Sequence, residues 1–356
     1  LGRLYFSAGD NDAALSHYSL SLADKVVNRD EYGQSLTLAN MARVHLAERR
    51  LPDALEIFGY DLELARKLGD VRGVKRILKL MLPALFGVSV VQINLLLDTV
   101  LASFLQTGSV SWLYFSDRLA ELPLGVFGIA IATVILPSLS RKHAEKSSEH
   151  FAHTLDWAVR MVLLIGVPAA LALFLLAEPM LITLFHYGAL TDHDVVMAAK
   201  SLRAYACGLL AFMLIKVLAT GYFSRQDTKT PVKIGIQAAV ANMALNLLLI
   251  GPFAHVGLAA ATSASAFMNA GLLLHGLLKL GVFRWQPGWS IMLIRLISAN
   301  VVMAALLLWL AADSAQWLAW GIMDRALQMG LLVVAGAGVY LLVLIALGLR
   351  PRHLRA

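Results

Sequence analysis

From residue 77 to residue 348 the sequence is a succession of apolar runs, each near the roughly 20 residues that carry an α-helix across a bilayer. We count eight, at about 77–101, 111–136, 157–177, 195–221, 232–251, 256–280, 291–311 and 326–348. Hydrophobic residues make up 59% of the 356-residue chain and charged residues 15%. Mean hydropathy is +0.70. An ordinary soluble domain needs polar faces that most of this chain lacks. The expected fold class is therefore all-α: a polytopic membrane protein with about eight transmembrane helices, preceded by a small soluble α-helical segment.

The net charge of +7 raises a nucleic-acid reading, which the distribution of charge removes. Basic residues cluster in short loops between apolar runs: Arg72, Lys75, Arg76 and Lys79, then Arg141, Lys142 and Lys146, then Arg225, Lys229 and Lys233, then Lys279 and Arg284, then Arg350, Arg352 and Arg355. The alternate connections, near 102–110, 178–194, 252–255 and 312–324, carry no Lys or Arg. Positive residues mark the cytoplasmic side, so both termini are predicted to be cytoplasmic. Lys200 and Arg203 run mildly against the rule. Trp285 and Trp289 on the inside, and Trp309, Trp317 and Trp320 towards the outside, suit interfacial anchors. A tight turn is predicted at Gly251-Pro252.

Inside the run from Trp112 to Ser140 stand Asp117, Arg118 and Glu121. A charge at membrane depth costs roughly 2.5–3.5 kcal/mol and persists where it faces a partner or a watery cavity. An arginine fork matches phosphate and carboxylate oxygens, so Arg118 is the candidate receptor for an anionic substrate, with Asp117 and Glu121 orienting it. An internal salt bridge is the plainer alternative. Lys216, mid-run, is a second candidate cation. Asp98, with Asn94 one turn before it, joins Asn242, Asn246 and Thr262 as candidate oxygen ligands for a sodium ion, or as ordinary helix–helix hydrogen bonding. Gly and Pro residues, among them Pro123, Gly125 and Gly128, are candidate hinges. One cysteine, Cys207, excludes an intramolecular disulfide and a cysteine-based zinc site. No HExxH, GxSxG, Walker or dinucleotide motif is present, so neither catalysis nor a cofactor is expected.

Residues 1–73 differ from the rest. They are polar and helical in pattern, and they repeat at an offset of forty: Arg3 falls on Arg43, Ala14 on Ala54, Leu15 on Leu55 and Tyr18 on Phe58. Matching apolar positions of this kind let paired helices stack as a solenoid. The segment resembles about two tetratricopeptide repeats in a longer form ending ARKLGD, which implies a surface for a partner protein or a leftover piece of a longer array. The chain opens on Leu1 in what reads as mid-motif, and residues upstream are expected.

The stretch KLMLPALFGVSVVQINLLLDTVLASFLQTGSVSWLYFSDRLAELPLGVFGIAIATVILPSLS, together with GYFSRQDTKTPVKI and QPGW at 286–289, resembles the MurJ (MviN) family of lipid II flippases. The resemblance runs from about Val74 to the C-terminus. It implies a fold of the multidrug/oligosaccharidyl-lipid/polysaccharide exporter type, here residues 74–285 as the second six-helix lobe. Residues 286–356 would be two added helices with a groove for the polyprenyl tail, and a basic tail. It implies lipid II as substrate, alternating access across the bacterial inner membrane, and coupling to membrane potential or an ion gradient rather than ATP. It also implies a role for an arginine at the position of Arg118 in substrate handling. The first lobe has no counterpart here, so the chain alone is not expected to flip lipid II without a second lobe in trans. A membrane-anchored adaptor and an exporter of another lipid-linked oligosaccharide are the competing readings.

Overall fold

The computed structural model describes residues 1–7, 9–48, 51–144, 148–225, 227 and 229–349. All its regular elements among these residues are helices, and it divides into two compact units, Leu1–Leu96 and Leu97–Ala356.

The first unit contains α1 (Gly2–Ser7), α2 (Asn11–Val27), α3 (Glu31–Ala47), α4 (Leu51–Lys67) and the first part of α5 (Val71–Ser103). Three helices start on the same local device. Asp10, Asp30 and Asp70 accept hydrogen bonds from the amides of Ala13 (3.0 Å), Gly33 (2.9 Å) and Gly73 (2.8 Å). An aspartate cap satisfies an amide that the first turn otherwise leaves unpaired. Asp30 and Asp70 lie one forty-residue offset apart. Glycine stands at the third helical position after both, and the capping carboxylate rests in the space its missing side chain leaves. Ala14 and Ala54 are fully buried, and Tyr18 and Phe58 lie in the two small cores beside them. Asp30 and Asp70, and Ala14 and Ala54, thus take like places in the first unit.

The second unit contains α6 (Ser109–Pro123), a π-helical turn (Leu124–Gly128), α7 (Ile129–Ala144), α8 (Ser148–Leu175), α9 (Ala177–Phe185), α10 (Asp192–Phe223), α11 (Lys229–Lys279), α12 (Trp289–Leu310), α13 (Ser314–Ala319) and α14 (Ile322–Ala346). Among the described residues six helices are long and apolar enough to cross a membrane, where the sequence predicted eight. Two features account for the difference. The 51-residue α11 would be about 76 Å long if straight, against a hydrocarbon core of about 30 Å. It breaks at Ala254 (φ 49°, ψ −131°) into two arms, two residues beyond the predicted turn at Gly251-Pro252. Gly257 then packs onto the Leu249 backbone, where a Cβ would lie 2.7 Å from the carbonyl carbon. The predicted 77–101 run lies in α5, where side chains 82–92 fall outside the described residues; the apolar stretch Ile93–Ser103 beyond them is shorter than a span.

Helix α10 is the centre of the unit and packs against α6, α7, α8, α9 and α11. Its sequence has no polar face, as a helix surrounded by others requires. Lipid tails are as apolar as leucine, so close contact must come from small residues. Ala198, Ala199, Ser201, Ala206, Gly208 and Ala211 are all buried on α10. At Gly208 a Cβ would sit 2.8 Å from the Ser263 Cα of α11, and Ser263 Oγ donates to the Ala204 carbonyl at 2.7 Å. Helices α12 and α14 pair with each other and dock on α8, with the Tyr340 hydroxyl donating to the Leu164 carbonyl at 2.7 Å. Trp317, expected as an interfacial anchor, is instead fully buried in the core, while Trp309 is exposed.

Candidate functional site

One face of α6 is fixed to α10. Trp112, Leu113, Ser116, Leu119 and Ala120 are buried. The Ser116 hydroxyl bonds to the Ala198 carbonyl at 2.6 Å, and the Trp112 indole donates to Asp194 at 2.7 Å. A helix held on that side turns its intervening residues outward. These are Tyr114, Arg118 and Glu121, which are exposed, and Asp117, which is half-buried. Arg118 lies 2.9 Å from Glu121 and 3.8 Å from Asp117, and its guanidinium sits 5.3 Å from the Tyr114 ring centroid. The three charged side chains remain 35–49% exposed. The structure thus brings the predicted trio together and leaves its arginine half open. Immediately beyond it, Pro123 removes an amide from the helical ladder, and the next five residues wind as a π-turn, a device common where a helix must yield at a functional position. Lys216 is exposed on α10, and among the described residues no ion pair links it to the trio.

The second predicted set also converges. The Asn246 amide donates to Asp98 at 2.6 Å and to the Asn242 carbonyl oxygen at 3.2 Å, and the Asn242 amide donates to Thr262 at 3.4 Å. Asn242 and Thr262 would be about 30 Å apart on one straight helix; the break at Ala254 folds them face to face. As built, the set is a chain of hydrogen bonds, the plainer of the two readings. One atom is left over: Oδ1 of Asn246 is buried without a partner among the described residues. Asp98 and Asp117 are close enough to interact electrostatically, and both reach the buried Tyr205 of α10. The two sets are therefore neighbours.

Sequence reasoning missed a third polar site. Asp156, almost wholly buried on α8, accepts from Arg160 Nε at 2.7 Å, from the Trp289 indole at 2.8 Å and from the Gln286 amide at 3.3 Å. Arg160 also donates to the carbonyls of Gln286 and Pro287, both at 3.0 Å, and stacks 5.1 Å from the Trp289 ring. This clamp fixes the QPGW segment to the bundle. The i,i+4 Asp–Arg spacing on an apolar helix was its only local signal. At the other end of the bundle Arg325, also buried, donates to the carbonyls of Trp317 (3.0 Å) and Leu318 (2.9 Å). Glu178 there bonds Arg203 (2.9 Å) and Ser314 (2.6 Å). Burial raises the Glu178 carboxyl, but these bonds outweigh it and hold its pKa below the ordinary value of 4.5.

Apolar helices long enough to span a bilayer, small-residue packing and a half-open arginine within such a helix define an all-α multi-pass membrane protein with a partly exposed charged face on α6. Comparison with known proteins gives the family. The family described as "Lipid II flippase MurJ" matches residues 54–326. The "Probable lipid II flippase MurJ" of Vibrio cholerae is 56% identical over 284 residues, covering 80% of this chain and 54% of that protein. That of Haemophilus influenzae is 53% identical over 288 residues, covering 79% and 56%. A solved structure titled "Lipid II flippase MurJ, inward closed conformation" shares the fold, with a TM-score of 0.64 at 20% identity over 87% of this chain and 66% of the other. The chain belongs to the MurJ family and spans about half the length of the curated relatives it matches.

Proposed function

We propose that this chain acts as the second lobe of a lipid II flippase in the bacterial inner membrane. It would move the undecaprenyl-diphosphate-linked peptidoglycan precursor by alternating access together with a first lobe supplied in trans or by further chain. It is a transporter and not an enzyme. The observation that carries this reading is the extent and identity of the family match, and the partly exposed charged face of α6 gives it a mechanism. Arg118 engages diphosphate oxygens through charge-assisted bonds, while Asp117 and Glu121 hold its guanidinium when substrate is absent. Lys216 adds positive charge on the neighbouring helix. Rocking of one lobe against the other would carry this face from one side to the other.

The domains follow as residues 1–73, 74–285 and 286–356, with eight spans once α5 and both arms of α11 are counted and with both termini cytoplasmic. Asp98, Asn242, Asn246 and Thr262 form a weak sodium site that couples transport to an ion gradient. In its favour are four convergent oxygen-bearing side chains and the buried, unpartnered Asn246 oxygen. The forty-residue repeat of residues 1–73 supports a tetratricopeptide-like surface for a partner protein.

Complementation tests the central claim. The chain, with or without a first-lobe segment from a relative, is expressed in bacteria depleted of their own lipid II flippase. Rescue is expected when both lobes are present, and Arg118→Ala should abolish it. Rescue indifferent to Arg118, or none from stably inserted chains, would refute the assignment. A sodium-specific rise in melting temperature that disappears in Asp98→Asn is the matching check on the ion site.

A further inference from the structure

Where α8 begins, α12 begins and α14 ends, the bundle surface carries an open cavity of about 540 Å³. One wall is the Asp156 clamp. The rest includes His153, Arg160, Arg295, Leu164, Ile291 and Leu349. The charges here are unequal. Arg160 is neutralised by Asp156, but among the described residues no carboxylate lies within ion-pair distance of Arg295. Its guanidinium lies beside Gly348, at φ +86°, where a Cβ would stand 3.3 Å from Arg295 Nη2. The first turn of α12, which also lines the cavity, has no side-chain cap on its amides, and those amides favour negative charge. Among the described residues the site thus carries one unmatched positive charge. Its apolar wall continues outward through Ile291, which is 57% exposed.

Size and position narrow the ligand. The volume falls in the range of small-molecule sites, about 300–1,000 Å³, far more than an inorganic ion fills. The cavity lies at the ends of three membrane-spanning helices, beside Trp285 and Trp289, whose rings meet edge to face with centroids 4.8 Å apart. Tryptophans concentrate at this level of a bilayer. A single positive charge backed by an open apolar wall at the interface suits an amphiphile with one negative charge.

We propose that this cavity holds the phosphodiester headgroup of an anionic phospholipid, with Arg295 on the phosphate and Ile291 and Leu349 against the first part of an acyl chain. It is a site for a resident membrane lipid, on a different face from the Arg118 trio, and it does not depend on the flippase reading.

The full chain, purified and delipidated in detergent, is titrated in native mass spectrometry with dioleoyl-phosphatidylglycerol, dioleoyl-phosphatidylcholine and free glycerol phosphate. Phosphatidylglycerol should be retained about fivefold more tightly than phosphatidylcholine, given about 1 kcal/mol per basic residue near an anionic surface. Arg295→Gln should erase the preference and Arg295→Lys should keep most of it. Ile291→Glu places a carboxylate at the mouth, on an exposed first-turn position that tolerates an acid. It should also erase the preference, which keeps the test decisive if Arg295→Gln fails to fold. Equal retention of the two lipids, or a preference unchanged in both variants, would overturn the proposal. Displacement of the lipid by equimolar glycerol phosphate would overturn it in favour of a soluble phosphate.

Discussion

Asp156→Ala should be among the most destabilising single substitutions in the second unit. The wild-type carboxylate is almost wholly buried and holds three donors, one of them the Arg160 guanidinium at 2.7 Å. Removing one partner of a buried ion pair costs about 3–5 kcal/mol, because the other charge stays behind. Two things place this case at the lower end. Arg160 keeps its bonds to the Gln286 and Pro287 carbonyls, and the adjoining cavity lets water reach the freed indole and amide. We therefore expect a loss of about 3 kcal/mol. At roughly 2 °C per kcal/mol for a unit of this size, the melting temperature should fall by roughly 6 °C, read by far-ultraviolet circular dichroism in detergent. Trp289→Phe removes only one hydrogen bond and part of a cation–π contact. It should cost about 1 kcal/mol. The double variant should cost less than the sum, since both changes act on one network. If Asp156→Ala melts within about 1 °C of wild type, or costs no more than Trp289→Phe, the clamp is not what fixes the QPGW segment.

Two further predictions rest on other parts of the bundle. Gly208→Ala drives a methyl into the Ser263 backbone of α11; it should destabilise by about 1–3 kcal/mol and break the Ser263–Ala204 bond, whereas Ala211→Gly on the same helix should cost about 1 kcal/mol through backbone entropy. The two are compared by thermal melting in the same detergent. Glu178→Gln should lower stability at neutral pH, and its deficit should shrink on acidification. The folded pKa of Glu178 lies below 4.5, so its contribution is fully present above that value and is lost as pH falls through the lower folded value. A deficit that is constant across that window would rule out the charge on Glu178 as its source.

The charged trio of α6 was legible because three charges in an apolar run have few explanations, and helical spacing alone puts Asp117 and Glu121 beside Arg118. The Asp98, Asn242, Asn246 and Thr262 set was legible for the same reason, as polar residues at membrane depth. What they do to one another was not. Whether Asn246 meets Asp98 depends on how α5 and α11 pack, and Asn242 reaches Thr262 only through the reversal at Ala254. The Asp156 clamp escaped notice because its partners, Gln286 and Trp289, are some 130 residues away and Trp289 was read as an interfacial anchor.

The sequence by itself determined the solvent. Runs of about twenty apolar residues can satisfy their backbone in a bilayer only as helices, and the forty-residue offset and aspartate caps are likewise local facts. Tertiary structure alone decided which side of each helix is covered. In a membrane the apolar residues of a span carry no inside–outside pattern, because lipid and core are equally apolar. Burial of Trp317, exposure of Trp309 and the half-open side of Arg118 depend on which neighbours each helix meets, and sequence spacing does not give that.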